Sequence, residues 1–124
     1  MSTSSAGDST GWQVICLCAA WCRVCGEWSR EFEALAAAHP QARFAWVDVE
    51  DQADAMGDVE IETFPTLLVA RGAQARFFGP VQPAAAQVAR LLDALLADDR
   101  AAPATPPEAG ELLQRLQAGV LPKG

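Results

Sequence analysis

Apolar positions along this chain fall into runs, stripes and alternations, and each pattern predicts an element. Residues 12–19, WQVICLCA, form a short continuous apolar run rich in strand formers, which predicts a strand buried on both faces. A turn-like stretch follows and ends at Cys22. From Val24 the period changes: Val24, Trp28, Phe32, Leu35 and Ala36 recur at helical spacing, with Glu27, Arg30, Glu31 and Glu33 between them. His39-Pro40 is expected to end that helix, because proline disfavours helical geometry in the residue before it. RFAWVDV at 43–49 predicts a second strand, and the acidic stretch 51–57 a short helix. Pro65 opens a third strand over 66–70, TLLVA. Arg71, Gly72 and Ala73 read as a turn and 75–78 as a fourth strand, so this pair predicts a hairpin. Gly79-Pro80 is expected to break it, and Pro83 to sit at a helix start. Val88, Leu91, Leu92, Leu95 and Leu96 supply the apolar stripe of that helix.

The predicted order is strand, helix, strand, helix, strand, strand, helix. Strands joined through a helix run parallel and a hairpin runs antiparallel, so an α/β architecture with a mixed central sheet and helices on both faces follows. Residues 101–107, AAPATPP, have the composition of a linker. Beyond them Leu112, Leu113, Leu116 and Val120 could line one side of a short helix that docks on the domain, docks on a partner, or is only partly ordered.

Composition and charge narrow the function classes. The chain has 124 residues, 51% hydrophobic and 20% charged, enough for one domain with a core that needs no metal or disulfide staples. No apolar run approaches the roughly 18 residues of a membrane span, so no membrane partner is expected. The start, MSTSSAGDST, lacks a basic segment and an apolar core, which argues against a secretory signal and for a cytoplasmic protein. The net charge is −7, and Asp48, Glu50, Asp51, Asp54, Asp58, Glu60 and Glu62 crowd one stretch without a Lys or Arg. Nucleic acid is therefore an unsuitable partner. The acidic run reads as a solvated face, or as a bias toward basic partner surfaces.

Four cysteines, Cys16, Cys18, Cys22 and Cys25, lie within ten positions. A secreted disulfide scaffold spreads its cysteines along the chain, so clustering points to redox catalysis or metal binding. The informative motif is WCRVC, Trp21 to Cys25, placed where a strand gives way to a helix. Cys22 is expected at the helix N-terminus, where backbone N–H groups and the helix dipole stabilise negative charge, and Arg23 adds a positive neighbour. The thiolate is the nucleophile in disulfide exchange. Two intervening residues let the sulfurs meet across the first turn, so Cys22 can attack a substrate disulfide and Cys25, more buried, can resolve the mixed disulfide.

At this point the sequence resembles the thioredoxin family, over about residues 13–97. The resemblance rests on WC-x-x-C at Trp21 to Cys25, on Phe64-Pro65-Thr66-Leu67-Leu68, and on Gly79 before the last helix of that span. It implies a thioredoxin-like fold, a central mixed four-stranded sheet flanked by helices. The domain would span 12–100, with a flexible N-terminus at 1–11 and a Pro-rich linker and short C-terminal helix at 101–124. It implies a thiol–disulfide oxidoreductase serving cell redox homeostasis, with Cys22 and Cys25 as the active pair. By the same resemblance Pro65 is a cis-proline beside that pair, Trp21 flanks the site and Phe64 touches substrate. The partners implied are protein disulfides and an external reductase or glutathione, for a chain expected to be a monomer. No bound cofactor and no metal is called for, because the electrons reside in the thiols.

Three departures from the family bear on mechanism. The middle pair is Arg23-Val24, where thioredoxin has Gly-Pro; Arg23 is expected to stabilise the reduced form and make the pair more oxidising. The family's buried Asp is replaced by Cys16 and its companion Lys by Trp46. Both groups that handle the proton of the resolving thiol are thus missing, and such help is typically worth roughly 10²–10⁴-fold. Cys16 and Cys18 are additional, two apart on a strand and so on one face, toward the layer beneath the CxxC. They read as small core residues, as a redox reserve in which Cys16 exchanges with Cys25, or as half of a four-thiolate metal site. Two further functions stay open beside the oxidoreductase: a thioredoxin-like client- or assembly-binding module with weak redox activity, and a metal-binding module. His39, the only histidine, reads as a capping or surface residue.

Overall fold

The structure, a computed structural model, describes residues 11–19, 21–57, 59–72, 74–97 and 105–119. The N-terminal segment expected to be flexible lies outside them up to residue 10, as do most of the linker and Ala73 of the predicted turn. Four strands and four helices follow in the described residues: β1 (Trp12–Cys18), α1 (Arg23–Ala38), β2 (Ala42–Asp48), α2 (Ala53–Met56), β3 (Thr66–Arg71), β4 (Gln74–Pro80), α3 (Ala85–Ala97) and α4 (Pro107–Gly119). None of these helices is long and apolar enough to cross a membrane.

The strands form one sheet in the order β2-β1-β3-β4. β1 runs parallel to β2 and antiparallel to β3, and β3 runs antiparallel to β4. This is the mixed four-stranded sheet the sequence predicts, with the apolar run of β1 at its centre. Alternation along β1 divides it between two cores. Trp12, Val14, Cys16 and Cys18 face α1 and α3, against Cys25, Trp28, Phe32, Leu35, Val88 and Leu92. Ile15 and Leu17 face the other way, with Val47, Met56, Leu68 and Ala70, and are covered by Leu112, Leu113 and Leu116 of α4.

Two boundaries differ from the sequence reading. β4 runs through Gly79 and Pro80, which stand opposite Leu67 and Thr66, where a break was expected. β4 is an edge strand, and a proline there costs no inner ladder bond. α3 begins at Ala85, two residues past Pro83, and the Ala84 carbonyl accepts the first bond from the Val88 N–H. A ring at Pro83 thus lies in the bend before the helix rather than in its first turn.

The C-terminal segment docks on the sheet. Its arginine reaches across: Arg115 Nε donates to the Ala55 carbonyl at 2.6 Å and Nη2 to the Met56 carbonyl at 3.1 Å. These are the last carbonyls of α2, which lack intrahelical partners. Gln117 Nε2 donates to Gln13 Oε1 and to the Gly72 carbonyl, both at 2.8 Å. At the opposite layer His39 is buried; its Nδ1 meets the Leu35 carbonyl at 2.9 Å and its Nε2 meets Asp93 Oδ1 at 3.0 Å, joining the end of α1 to α3. Its place is structural, and it lies inside the fold rather than on the surface.

Candidate redox site

β1 ends at Cys18, and α1 begins at Arg23 after four intervening residues. The Cys22 N–H donates to the Ala19 carbonyl at 3.0 Å, closing the turn that carries the chain over the sheet edge. Cys22 has extended backbone (φ −85°, ψ 118°) and is the N-cap of α1, its carbonyl accepting the Gly26 N–H at 3.2 Å. No side chain among the described residues caps the helix there, and no acidic residue occupies the first turn. The positive end of α1 is therefore left facing the Cys22 sulfur and the solvent. N-cap and third helical position are neighbours across the first turn, as the reciprocal bonds of a capping box require. Cys22 and Cys25 hold these two positions. Cys22 is half-buried, whereas Cys25 is 1% exposed, the gradient expected of an attacking and a resolving thiol.

The sulfur of Cys25 is already engaged, and its partner is Cys18. The two form a disulfide with Cα atoms 5.9 Å apart, while Cys16 and Cys22 are free thiols. That spacing is ordinary for a disulfide. The side chain at the third helical position points back toward the helix N-terminus and down onto the sheet, where the last residue of β1 stands on the same face. This corrects the reading of Cys18 as a small core residue and that of Cys16 as the one exchanging with Cys25; Cys16 is a free, buried thiol of the core. Cys16 lies one step further in, its sulfur 3.7 Å from that of Cys18. Burial pushes the Cys16 thiol up to about 12, with the neighbouring Trp28 indole N–H acting in the opposite direction. Trp28 Nε1 is fully buried and has no hydrogen-bond partner among the described residues. What sequence reasoning missed is thus Cys18; the face that Cys16 and Cys18 share beneath the helix marks them both and does not choose between them.

The rim of the site is aromatic. Trp21 is 66% exposed and stands edge-on to Phe64, ring centroids 5.7 Å apart. Its Nε1 donates to Glu50 Oε2 at 2.8 Å, which anchors the indole to the start of the acidic loop. Nothing in the sequence singled out Glu50 from its acidic neighbours. The Phe64–Pro65 bond is cis. Pro65 is buried and its carbonyl accepts the Val81 N–H at 3.1 Å. Arg23 and Val24 are both exposed on the first turn. An open groove of about 540 Å³ runs beside Cys22, lined by Trp21, Arg23, Gly26, Glu27 and Arg30. Trp46 is exposed on β2 and touches Phe32. Among the described residues, no three His, Cys, Asp or Glu side chains are arranged to hold a metal ion.

The match to a family model follows the same elements: the model described as thioredoxin matches residues 6–93. A comparison with curated protein sequences finds no match. Among solved structures, thioredoxin from Trypanosoma brucei brucei is similar at 20% identity and a TM-score of 0.64, over 77% of this chain and 84% of that one. Oxidised mitochondrial thioredoxin 3 from Saccharomyces cerevisiae is similar at 21% identity and a TM-score of 0.62, over 73% and 85%. Fasciola hepatica thioredoxin is similar at 20% and 0.63, over 74% and 88%. At these identities the likeness is one of fold.

Proposed function

From a chain that belongs to the thioredoxin family, we propose a thiol–disulfide oxidoreductase that exchanges disulfides with protein substrates through Cys22 and Cys25. The observation that carries this reading is the placement of the two cysteines at the N-cap and third position of α1, one half-exposed beside an open groove and the other buried beneath it. Family membership supports oxidoreductase activity in general; the client class and the residue roles are the proposal.

With both thiols reduced, the Cys22 thiolate attacks one sulfur of a client disulfide. A Cys22–client bond forms and the client's other sulfur leaves as a thiolate. Cys25 then attacks the Cys22 sulfur, the client's second sulfur leaves, and two electrons have passed to the client. The first-turn N–H groups of α1 stabilise the Cys22 thiolate both before attack and as a leaving group. Trp21, Phe64 and Pro65 flank the approach, and the exposed Arg23 and Val24 meet the client first. An external reductase or glutathione would reset the pair, in keeping with a cytoplasmic, monomeric protein.

The test is trapping. Reduced Cys25→Ser, offered a disulfide-bonded protein substrate, should accumulate a mixed disulfide at Cys22. Cys22→Ser should form none and lose catalysis of substrate reduction. Unchanged turnover in Cys22→Ser would overturn the proposal.

A further inference from the structure

The interior disulfide assigns Cys25 two possible partners. One is Cys18, to which it is bonded. The other is Cys22, one helical turn away at the N-cap. We infer that Cys18 is a third redox-active cysteine, and that the chain alternates between an interior Cys18–Cys25 disulfide and an outward Cys22–Cys25 disulfide by exchange at the Cys25 sulfur. This rests on the reading of Cys22 and Cys25 as the pair that meets the client.

The step balances without an oxidant or a reductant. The Cys22 thiol gives its proton to solvent and the thiolate attacks the Cys25 sulfur. The Cys22–Cys25 bond forms, the Cys18–Cys25 bond breaks, and Cys18 leaves as a thiolate. One proton returns from solvent to the departing sulfur, and the reverse step follows the same path. A buried thiolate is costly unless something donates to it. The structure holds that donor in place. A disulfide sulfur carries no proton, so in the 3.7 Å contact between Cys16 and Cys18 the S–H belongs to Cys16 and points at the sulfur that will leave. Behind Cys16 stands the buried Trp28 N–H, which has no hydrogen-bond partner among the described residues.

The two forms differ in what they can do. In the interior form the resolving thiol is tied up, so Cys22 acts as a single thiol and a client bound to it stays bound. In the outward form the pair is an oxidant ready to accept two electrons. Cys18 thereby converts one site between holding and exchanging clients.

The experiment oxidises the full chain by one disulfide, alkylates it under native conditions, and maps both bonds and labels by mass spectrometry. Acid quenching before alkylation should reveal both isomers in the wild type. Native alkylation should then drain the outward form, ending at about one label per chain, all on Cys22, with Cys18–Cys25 intact. Oxidised Cys18→Ala should hold only Cys22–Cys25 and take up less than about a tenth of a label there. If the wild type carries only Cys22–Cys25, or a mixture that native alkylation leaves unchanged, the inference is overturned and the reading of the client-facing pair stands. If Cys22–Cys25 forms in neither protein, both fail. Cys22→Ser, altered only at the half-exposed N-cap, provides the control that does not disturb the core: it should oxidise to Cys18–Cys25, and three free thiols there would overturn the inference.

Discussion

The two faces of the sheet share their strands but not their chemistry. Toward α1 and α3 the core holds Cys16, Cys18, Cys25, Trp28 and Phe32, with sulfurs in contact and one indole N–H without an oxygen or nitrogen partner. Toward α2 and α4 it is almost wholly aliphatic, built on Ile15, Leu17, Leu68, Leu112, Leu113 and Leu116. Adjacent residues of one strand therefore serve different ends: Leu17 closes a core, and Cys18 on its other side bonds to the helix that carries Cys22. The difference teaches that the redox face can carry reactive groups because the opposite face supplies close-packed burial that takes no part in the chemistry.

Substitutions on the aliphatic face should test that separation most severely. Leu113→Ala empties a fully buried position under the sheet and should lower unfolding free energy by about 2–5 kcal/mol in a denaturant titration. The alkylation pattern of Cys22 should not change; a loss below about 1 kcal/mol would mean that α4 merely rests on the sheet. Arg115→Ala should cost about 1–3 kcal/mol by the same measurement, because it removes the donor of the Ala55 carbonyl and one of the two donors of the Met56 carbonyl, which keeps the Val59 N–H.

A smaller effect belongs to the redox face and depends on pH. The folded Cys16 thiol is pushed up to about 12 from an ordinary value of 9.0, chiefly by burial. Below 9.0 both folded and unfolded chains keep the proton and the contribution to stability is complete. Between 9.0 and about 12 only the unfolded chain releases it, so stability falls with rising pH, by about 1 kcal/mol per unit. Unfolding at pH 8 and 10 should show that extra loss in the wild type and not in Cys16→Ala. Smallest of all, Glu50→Ala removes the acceptor of an exposed Trp21 and should change stability by under about 0.5 kcal/mol. Its effect should instead appear as altered client affinity through a less fixed indole.

Much of this was legible in the chain. The apolar runs of β1 and β3 announce central strands, and Val24, Trp28, Phe32 and Leu35 announce α1. WCRVC and Phe64-Pro65 mark the site because each joins a turn to a defined element. The partner of Cys25 was not legible. Periodicity tells which face Cys16 and Cys18 share, but not which of them stands level with the third residue of a helix that begins five positions after Cys18. The passage of β4 through Pro80 escaped for a similar reason: whether a strand lies at an edge is a property of the assembled sheet. The stripe of Leu112, Leu113 and Leu116 was visible, yet a stripe does not name the surface it covers.

That stripe has a consequence for how the protein is made. A ribosome releases the chain from its N-terminus, so all four strands emerge before the helix that covers one side of them. Until residues 107–119 clear the exit tunnel, Ile15, Leu17 and Leu68 have only the four-residue α2 above them. The nascent domain thus completes its sulfur-bearing side while the other lies open, a sticky surface for chaperones to shield. The helix that seals it is translated after every strand it covers.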